Sequence, residues 1–408
     1  MNALSRAPHK SAIMSASCDG QPNLLQEDVC LPAAVINTAA LDNNIRWMQR
    51  YADLRGVSLA PHGKTTMTSW IFRHQQAAGA WAIGTGSIWQ AYVALEAGVQ
   101  RVLIANQLTG RASMLLASQL KAQYPERDLM CCVDSPDNAR ALSVFFAERG
   151  QQMDVLVELG LPDGRCGCRT VEEVLALTRD IAALPGLRLR GLEAYEGVLH
   201  GDNLREQTEA FLRDAAALAC RMASFVDGEF ILTGGGSVWY DVVCNVWLAA
   251  GKPERCRVVI RPGCYITLDH GTYQSSQDAI IARDATARQV GGELKPVLEL
   301  VAMVQSVPQP DMAVANFGKR DAAFDAGLPQ AIAHYRLGQA LALKTGAVVS
   351  TGIMDQHCML RLASDSDVRV GDILIFGLSH PCLTFDKWKT LLLVDDEYRV
   401  QEEVSTAF

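Results

Sequence analysis

Eight short runs rich in branched and aromatic residues, separated mostly by stretches of helical periodicity, constrain this chain more than any other feature. In order they are 58–60, 81–85, 101–106, 129–134, 154–159, 189–195, 230–233 and 257–261. Eight alternations of strand and helix predict an α/β fold of the (βα)8 TIM-like barrel type. The intervening helices have the right spacing: segment 87–98 carries Ile88, Tyr92, Val93 and Leu95 on one side, and segment 171–184 repeats Val, Leu and Ile at three- and four-residue steps. Thr170 before Val171-Glu172-Glu173 reads as an N-cap with acidic residues in the first turn.

After about Gly271 the pattern changes. Segments 296–304, 346–350, 356–361 and 372–376 alternate as half-buried strands do, and 391–394 with 398–400 around Asp395-Asp396 reads as a hairpin. The expected organisation is an N-terminal arm at 1–32, partly disordered, a cofactor-binding barrel at 33–270, and a β-rich domain at 271–408. The segment 33–37 and the helix from 41 to about 51 precede the barrel count and fit either domain. A chain of 408 residues is long enough for two cores.

Composition narrows the function. A net charge of -8 without clustered Lys and Arg argues against nucleic acid. No apolar run approaches the roughly 18 residues that cross a bilayer, and the N-terminus lacks a secretory pattern, so a cytoplasmic enzyme of small molecules is expected, with no membrane role. The 12 cysteines are read as thiols, with Cys131, Cys132, Cys220, Cys244 and Cys256 as small core residues.

In this frame the reactive residue types fall at strand carboxyl ends, where barrels build their sites. Lys64, in Pro61-His62-Gly63-Lys64-Thr65, follows the first strand, and a lysine in a cleft forms Schiff bases with carbonyl compounds. Arg165 follows the fifth strand and Tyr195 closes the sixth. Thr233-Gly234-Gly235-Gly236-Ser237 follows the seventh, and Gly263-Cys264-Tyr265 the eighth, with Tyr265 counted among the cofactor contacts. Loops at those two places commonly bind phosphate through backbone N–H groups. Each signal is weak alone; together they describe a phosphorylated aldehyde held by its phosphate at one end and a lysine at the other.

A candidate metal pair lies late in the chain, in Ser379-His380-Pro381-Cys382. Residues two apart in an extended segment point the same way, so His380 and Cys382 share one ion, and the thiolate favours zinc. His357-Cys358 is a poorer candidate, because neighbours on a strand face opposite sides.

The Pro-His-Gly-Lys-Thr run, the Gly-Gly-Gly-Ser loop and the block from Phe376 through His380-Pro381-Cys382 to Trp388 resemble the D-serine dehydratase and D-threonine aldolase family, fold-type III pyridoxal-phosphate enzymes similar to alanine racemase. The resemblance runs from about Ala33 to the C-terminus. It implies pyridoxal 5'-phosphate on Lys64, contacts from Arg165 and Tyr195, and Thr233, Gly235, Gly236 and Ser237 at the phosphate. It also implies a divalent metal on His380 and Cys382 near the substrate's β-hydroxyl. Lys64, His380 and Cys382 are then the catalytic residues of a homodimer whose active sites lie between the barrel of one subunit and the β-domain of the other. The His-x-Cys form goes with dehydration and deamination of a D-β-hydroxy amino acid, of the D-serine or D-threonine type. Retro-aldol cleavage to glycine and an aldehyde is the alternative within the family. A racemase has no use for the metal pair, and a non-catalytic cofactor carrier typically lacks the β-domain.

Overall fold

The structure, a computed structural model, describes residues 10, 11, 13, 14 and 20–408. Strand β1 (Ala33–Asn37) stands apart from the eight that follow: β2 (Ser58–Leu59), β3 (Ile83–Thr85), β4 (Arg101–Gln107), β5 (Asp128–Val133), β6 (Met153–Leu159), β7 (Leu187–Ala194), β8 (Phe230–Gly234) and β9 (Cys256–Ile260). These 8 strands form one parallel sheet in the order β2-β9-β8-β7-β6-β5-β4-β3. It closes where Leu59 O accepts from Trp81 N at 2.8 Å and Pro61 O accepts from Gly84 N at 2.8 Å. Helices separate the strands, and Thr170 and Glu173 form a reciprocal capping box on the helix Val171–Ala182.

Alternation along the strands sorts the barrel into two environments. Val102, Ile104, Val155, Val157, Phe230, Leu232, Val258 and Ile260 turn outward into the main core beneath the helices. Leu103, Met130, Leu156, Ile231 and Val259, with Ala60 and Ala82, form a separate buried cluster that fills the barrel. Two residues further along, the inward positions turn polar: Cys132, Glu158, Glu193 and, just past β9, Arg261, all buried. An apolar plug therefore carries a charged layer on the side where the strands end.

The second sheet contains β10 (Leu298–Gln309), β11 (Met312–Ala315), β12 (Gln330–Arg336), β13 (Gln339–Leu341), β14 (Val348–Ile353), β15 (Cys358–Leu362), β16 (Ile373–Gly377), β17 (Thr390–Val394) and β18 (Val400–Ser405). Its main path runs β13-β12-β16-β10-β1-β17-β18, with β11, β15 and β14 extending from β10. All its pairs are antiparallel except β1 with β17. The hairpin expected around Asp395-Asp396 is β17 and β18.

The segment 33–37, placed at the start of the barrel unit, lies in the second sheet, because Ala34 and Ile36 pack into the main core while Ala33 and Val35 pack on the opposite face with Val301, Ile375 and Leu392. A strand apolar on both faces belongs in the middle of a covered sheet. The boundary at 270 separates β9 from the helix Thr272–Arg283, which follows it as the eighth helix of the alternation. Within the arm at 1–32, Leu24, Leu25 and Val29 are buried against the second sheet. The disorder expected for residues 1–9, 12 and 15–19 lies outside the described residues. Cys131, Cys132 and Cys244 are core residues as expected, whereas Cys220 is exposed at the end of a helical face. Among the described residues, no helix is long and apolar enough to cross a membrane.

Candidate active site

A cavity of about 600 Å³ opens at the carboxyl ends of the barrel strands, and Lys64, Arg165, Tyr195, Gly236, Ser237, His380 and Cys382 all line it. Lys64 sits in a short 3-10 turn, Gly63–Thr65, directly after β2. Among the described residues its amine has no hydrogen-bond or ion-pair partner. The turn packs tightly, since a Cβ on Gly63 would lie 2.8 Å from the Phe72 ring. The Arg165 guanidinium lies over the Tyr195 ring at 4.8 Å from its centroid. Burial, with the Glu196 carboxylate beside it, raises the Tyr195 hydroxyl above its ordinary pKa. That ring needs the glycine after the strand, because a Cβ on Gly197 would stand 2.3 Å from the Tyr195 hydroxyl.

The glycine loop differs in detail from the expected phosphate cradle. Glu196 accepts from Gly235 N at 3.0 Å and from Gly236 N at 2.8 Å, so both amides face a carboxylate. Gly235 does not line the cavity; its φ of 78° turns the chain there. Thr233 is fully buried in the barrel wall, where its hydroxyl donates to Val259 O at 3.0 Å. Tyr265 points away into the core and its hydroxyl accepts from Gln75 Nε2 at 3.0 Å. Alternation and loop geometry thus turn Thr233, Gly235 and Tyr265 from the cavity wall. Ser237 remains, its hydroxyl accepting from Gly263 N at 3.2 Å and Cys264 N at 3.0 Å, which ties the loops after β8 and β9 together.

Three residues on the cavity wall add to the expected set. Arg261 ion-pairs with the buried Glu193 beneath it. His62 presents a buried Nδ1 with no hydrogen-bond partner. Burial first, and then the charges of Lys64, Arg261 and Arg165, hold its ring well below the ordinary histidine pKa and therefore neutral. Cys264 is the third. The convergence of Lys64, Arg165 and Arg261 is the environment a phosphorylated, anionic ligand neutralises, and the volume suits a small cofactor with its substrate. The residues present therefore fit pyridoxal phosphate.

The His-Pro-Cys block reaches the same cavity within one chain. Cys382 Sγ lies 3.6 Å from Thr65 Oγ1 and 3.8 Å from Cys264 Sγ. His380 and Cys382 thus line the cavity from the same chain as Lys64. The presumed extended conformation of the pair is corrected: His380 has a φ of 55°, and Cys382 opens the short helix Cys382–Phe385. The two side chains nonetheless line the same cavity, because the bend at His380 folds them to one side. Asp269 holds the bend, accepting from Gly271, Tyr273 and Gln274 N–H groups through one carboxylate oxygen and from His380 N at 3.3 Å through the other. His380 Nδ1–H donates to Asp325 at 2.6 Å. This is the carboxylate partner that orients a metal-binding imidazole, so imidazole and thiolate fit a divalent ion. The hydrogen bond from Cys264 lowers the pKa of the Cys382 thiol, and burial opposes that shift.

A barrel with a lysine at the end of its first strand, a cationic cavity and a second, largely antiparallel domain defines the alanine racemase-like class, the fold-type III pyridoxal-phosphate enzymes. A family model described as alanine racemase, N-terminal domain matches residues 36–229, and one described as putative serine dehydratase domain matches residues 297–394. D-threonine aldolase of an Arthrobacter species is 29% identical over 374 residues, covering 90% of this chain and 89% of that protein. D-threo-3-hydroxyaspartate dehydratase of Delftia sp. strain HT23 is 32% identical over 259 residues, covering 57% of this chain and 67% of that protein. The crystal structure of D-threonine aldolase from Filomicrobium marinum superposes with a TM-score of 0.76 at 23% identity, covering 95% of this chain and 97% of that one. The chain belongs to the D-serine dehydratase and D-threonine aldolase family, and is a lyase of that fold type.

Proposed function

We propose that this lyase uses pyridoxal phosphate and a divalent metal, zinc by the softness of its thiolate ligand, to dehydrate and deaminate a D-β-hydroxy amino acid to a 2-oxo acid and ammonia. The observation that carries the reading is the meeting of two loops in one cavity. The residue after Lys64, Thr65, lies 3.6 Å from the Cys382 sulfur, so a base for Cα and a metal pair for the β-oxygen face the same space. When bound, the cofactor withdraws electrons from the bonds at Cα and the ion acts as a Lewis acid on the β-oxygen. Lys64 would hold the cofactor until the substrate's amine takes its place, and the freed Lys64 amine then takes the Cα proton. The C–H electron pair becomes the Cα–Cβ double bond as the β-hydroxyl leaves; His380 and Cys382 would hold the ion that would polarise that C–O bond. Water then releases ammonia and the 2-oxo acid. Arg165, Tyr195, Gly236 and Ser237 form the cofactor's walls, and Arg261, on its ion pair with Glu193, adds a fixed positive charge at the floor.

The dehydratase reading draws on the metal pair. Solved structures of D-threo-3-hydroxyaspartate dehydratase include a histidine-to-alanine mutant and a metal-free cysteine-to-alanine mutant two positions later, the spacing of His380 and Cys382. One observation favours retro-aldol cleavage instead: the Arthrobacter D-threonine aldolase aligns over 90% of the chain. A homodimer is part of the proposal, as is a substrate of the D-serine, D-threonine or 3-hydroxy-D-aspartate type. Product analysis with those three compounds, with and without a chelator, tests the reading. Chelator-sensitive 2-oxo acid and ammonia are expected. Glycine and an aldehyde would replace dehydration by cleavage, and no turnover with any of them would leave a cofactor carrier.

A further inference from the structure

We infer that Cys264 is a third protein ligand of the ion at His380 and Cys382, so that the site is a two-thiolate, one-imidazole centre built across the two domains. The inference rests on the metal reading above and extends it to a residue in the turn after the eighth barrel strand. Cys264 and Cys382 are both free thiols, and their sulfurs stand 3.8 Å apart. A disulfide needs about 2.05 Å. Two thiolates on one tetrahedral zinc, each about 2.3 Å from the metal, lie about 3.8 Å apart. The spacing, in the metal-free chain that of an S–H···S hydrogen bond, is also the one two ligands of a common ion need.

The two sulfurs are held from opposite sides. Cys264 is fixed from the barrel, its N–H bonded to the Ser237 hydroxyl at 3.0 Å, and its side chain lines the cavity beside His380 and Cys382. Cys382 is fixed from the second domain by the helix Cys382–Phe385, where the Thr384 hydroxyl accepts from Ala323 N at 3.0 Å. The Thr65 hydroxyl sits between them, 4.0 Å from one sulfur and 3.6 Å from the other. The three donor atoms do not all lie within 4.8 Å of one another, so ion entry requires the His380 ring to turn toward Cys264. That side chain is 30% exposed, and the turn would pivot on the Nδ1 hydrogen bond to Asp325. Three protein ligands leave the fourth tetrahedral position for the substrate oxygen, as in other catalytic zinc sites with two cysteines and a histidine. A second thiolate also raises the preference for zinc over magnesium or manganese.

The test uses the full-length protein, stripped with a chelator under reducing conditions and titrated with Co2+ and, separately, with Zn2+. The thiolate-to-cobalt charge-transfer absorption of Cys264→Ala and Cys264→Ser is expected to be about half that of the wild type, with zinc bound at least about 10-fold more weakly. Cys264 variants that keep the full band and affinity overturn the third ligand, provided that Cys382→Ala loses them. Were Cys382→Ala to keep them as well, the ion would lie elsewhere, and the metal reading would fall together with the inference. Zinc-edge X-ray absorption of the wild type needs no variant: two sulfur neighbours are expected, and one refutes the assignment.

Discussion

The charged layer beneath the cavity sets a pH dependence that can be worked out. Glu158 and Glu193 are both buried with one neighbouring cation, Arg261, which pairs with Glu193. Burial first, and then the Glu193 carboxylate, push the Glu158 carboxyl from its ordinary 4.5 up to about 7, against the hydrogen bond from Gln107 Nε2 at 2.6 Å. The unfolded chain ionises this group above about pH 4.5, whereas the folded chain keeps its proton until about pH 7. Between those values the folded state binds more protons, so stability falls as pH rises. Each pH unit removes about 1.4 kcal/mol, about 3 kcal/mol across the window, and the contribution is flat above it. Glu158→Gln mimics the protonated form, with a carbonyl that still accepts from Gln107. Urea unfolding of both proteins at steps between about pH 5 and 8 should show the wild type losing roughly 2–3 kcal/mol relative to the variant, nearly all of it below about pH 7. A difference between the two proteins that does not change with pH would refute the raised Glu158 pKa.

Other expectations concern the site. Lys64→Ala should abolish turnover and the retention of pyridoxal phosphate through gel filtration, while leaving the thermal midpoint of the cofactor-free protein unchanged, since the amine has no hydrogen-bond or ion-pair partner among the described residues. Asp325→Asn removes the carboxylate that accepts from His380 Nδ1 and should weaken zinc binding about 10- to 100-fold by chelator competition. Tyr265→Phe should cost about 1 kcal/mol in denaturation through the lost Gln75 hydrogen bond and leave cofactor affinity intact; weakened cofactor binding would return Tyr265 to the cavity. Gly197→Ala should displace the Tyr195 ring and raise the dissociation constant of the cofactor, measured by fluorescence quenching.

What the sequence by itself determined is what local pattern can carry. The eight barrel strands and the capped helix after Thr170 were legible because alternation and caps are written in neighbouring residues, and Lys64, Arg165 and Tyr195 could be placed because a barrel puts strand ends on one face. The short strands β11 and β13 were not, since 4 and 3 residues carry too little period to be read. Ala33–Asn37 had the right strand propensity and no local sign of its sheet, which only its pairing with β10 and β17 decides.

The tertiary structure also decided which side chains reach the cavity. Thr233 and Tyr265 stood at the expected strand ends, yet a half-turn of the backbone sends one into the wall and the other into the core. Glu196 was next to a chosen residue and passed over, because its contact with the Gly235 and Gly236 amides spans two loops. Asp325, in a loop without periodicity, gave no local signal, and the turn holding Cys264, though legible as a strand end, gave no sign of its nearness to Cys382, 118 residues away. Side-chain chemistry can be read along the chain, but distance between remote residues is fixed only when packing brings their backbones together.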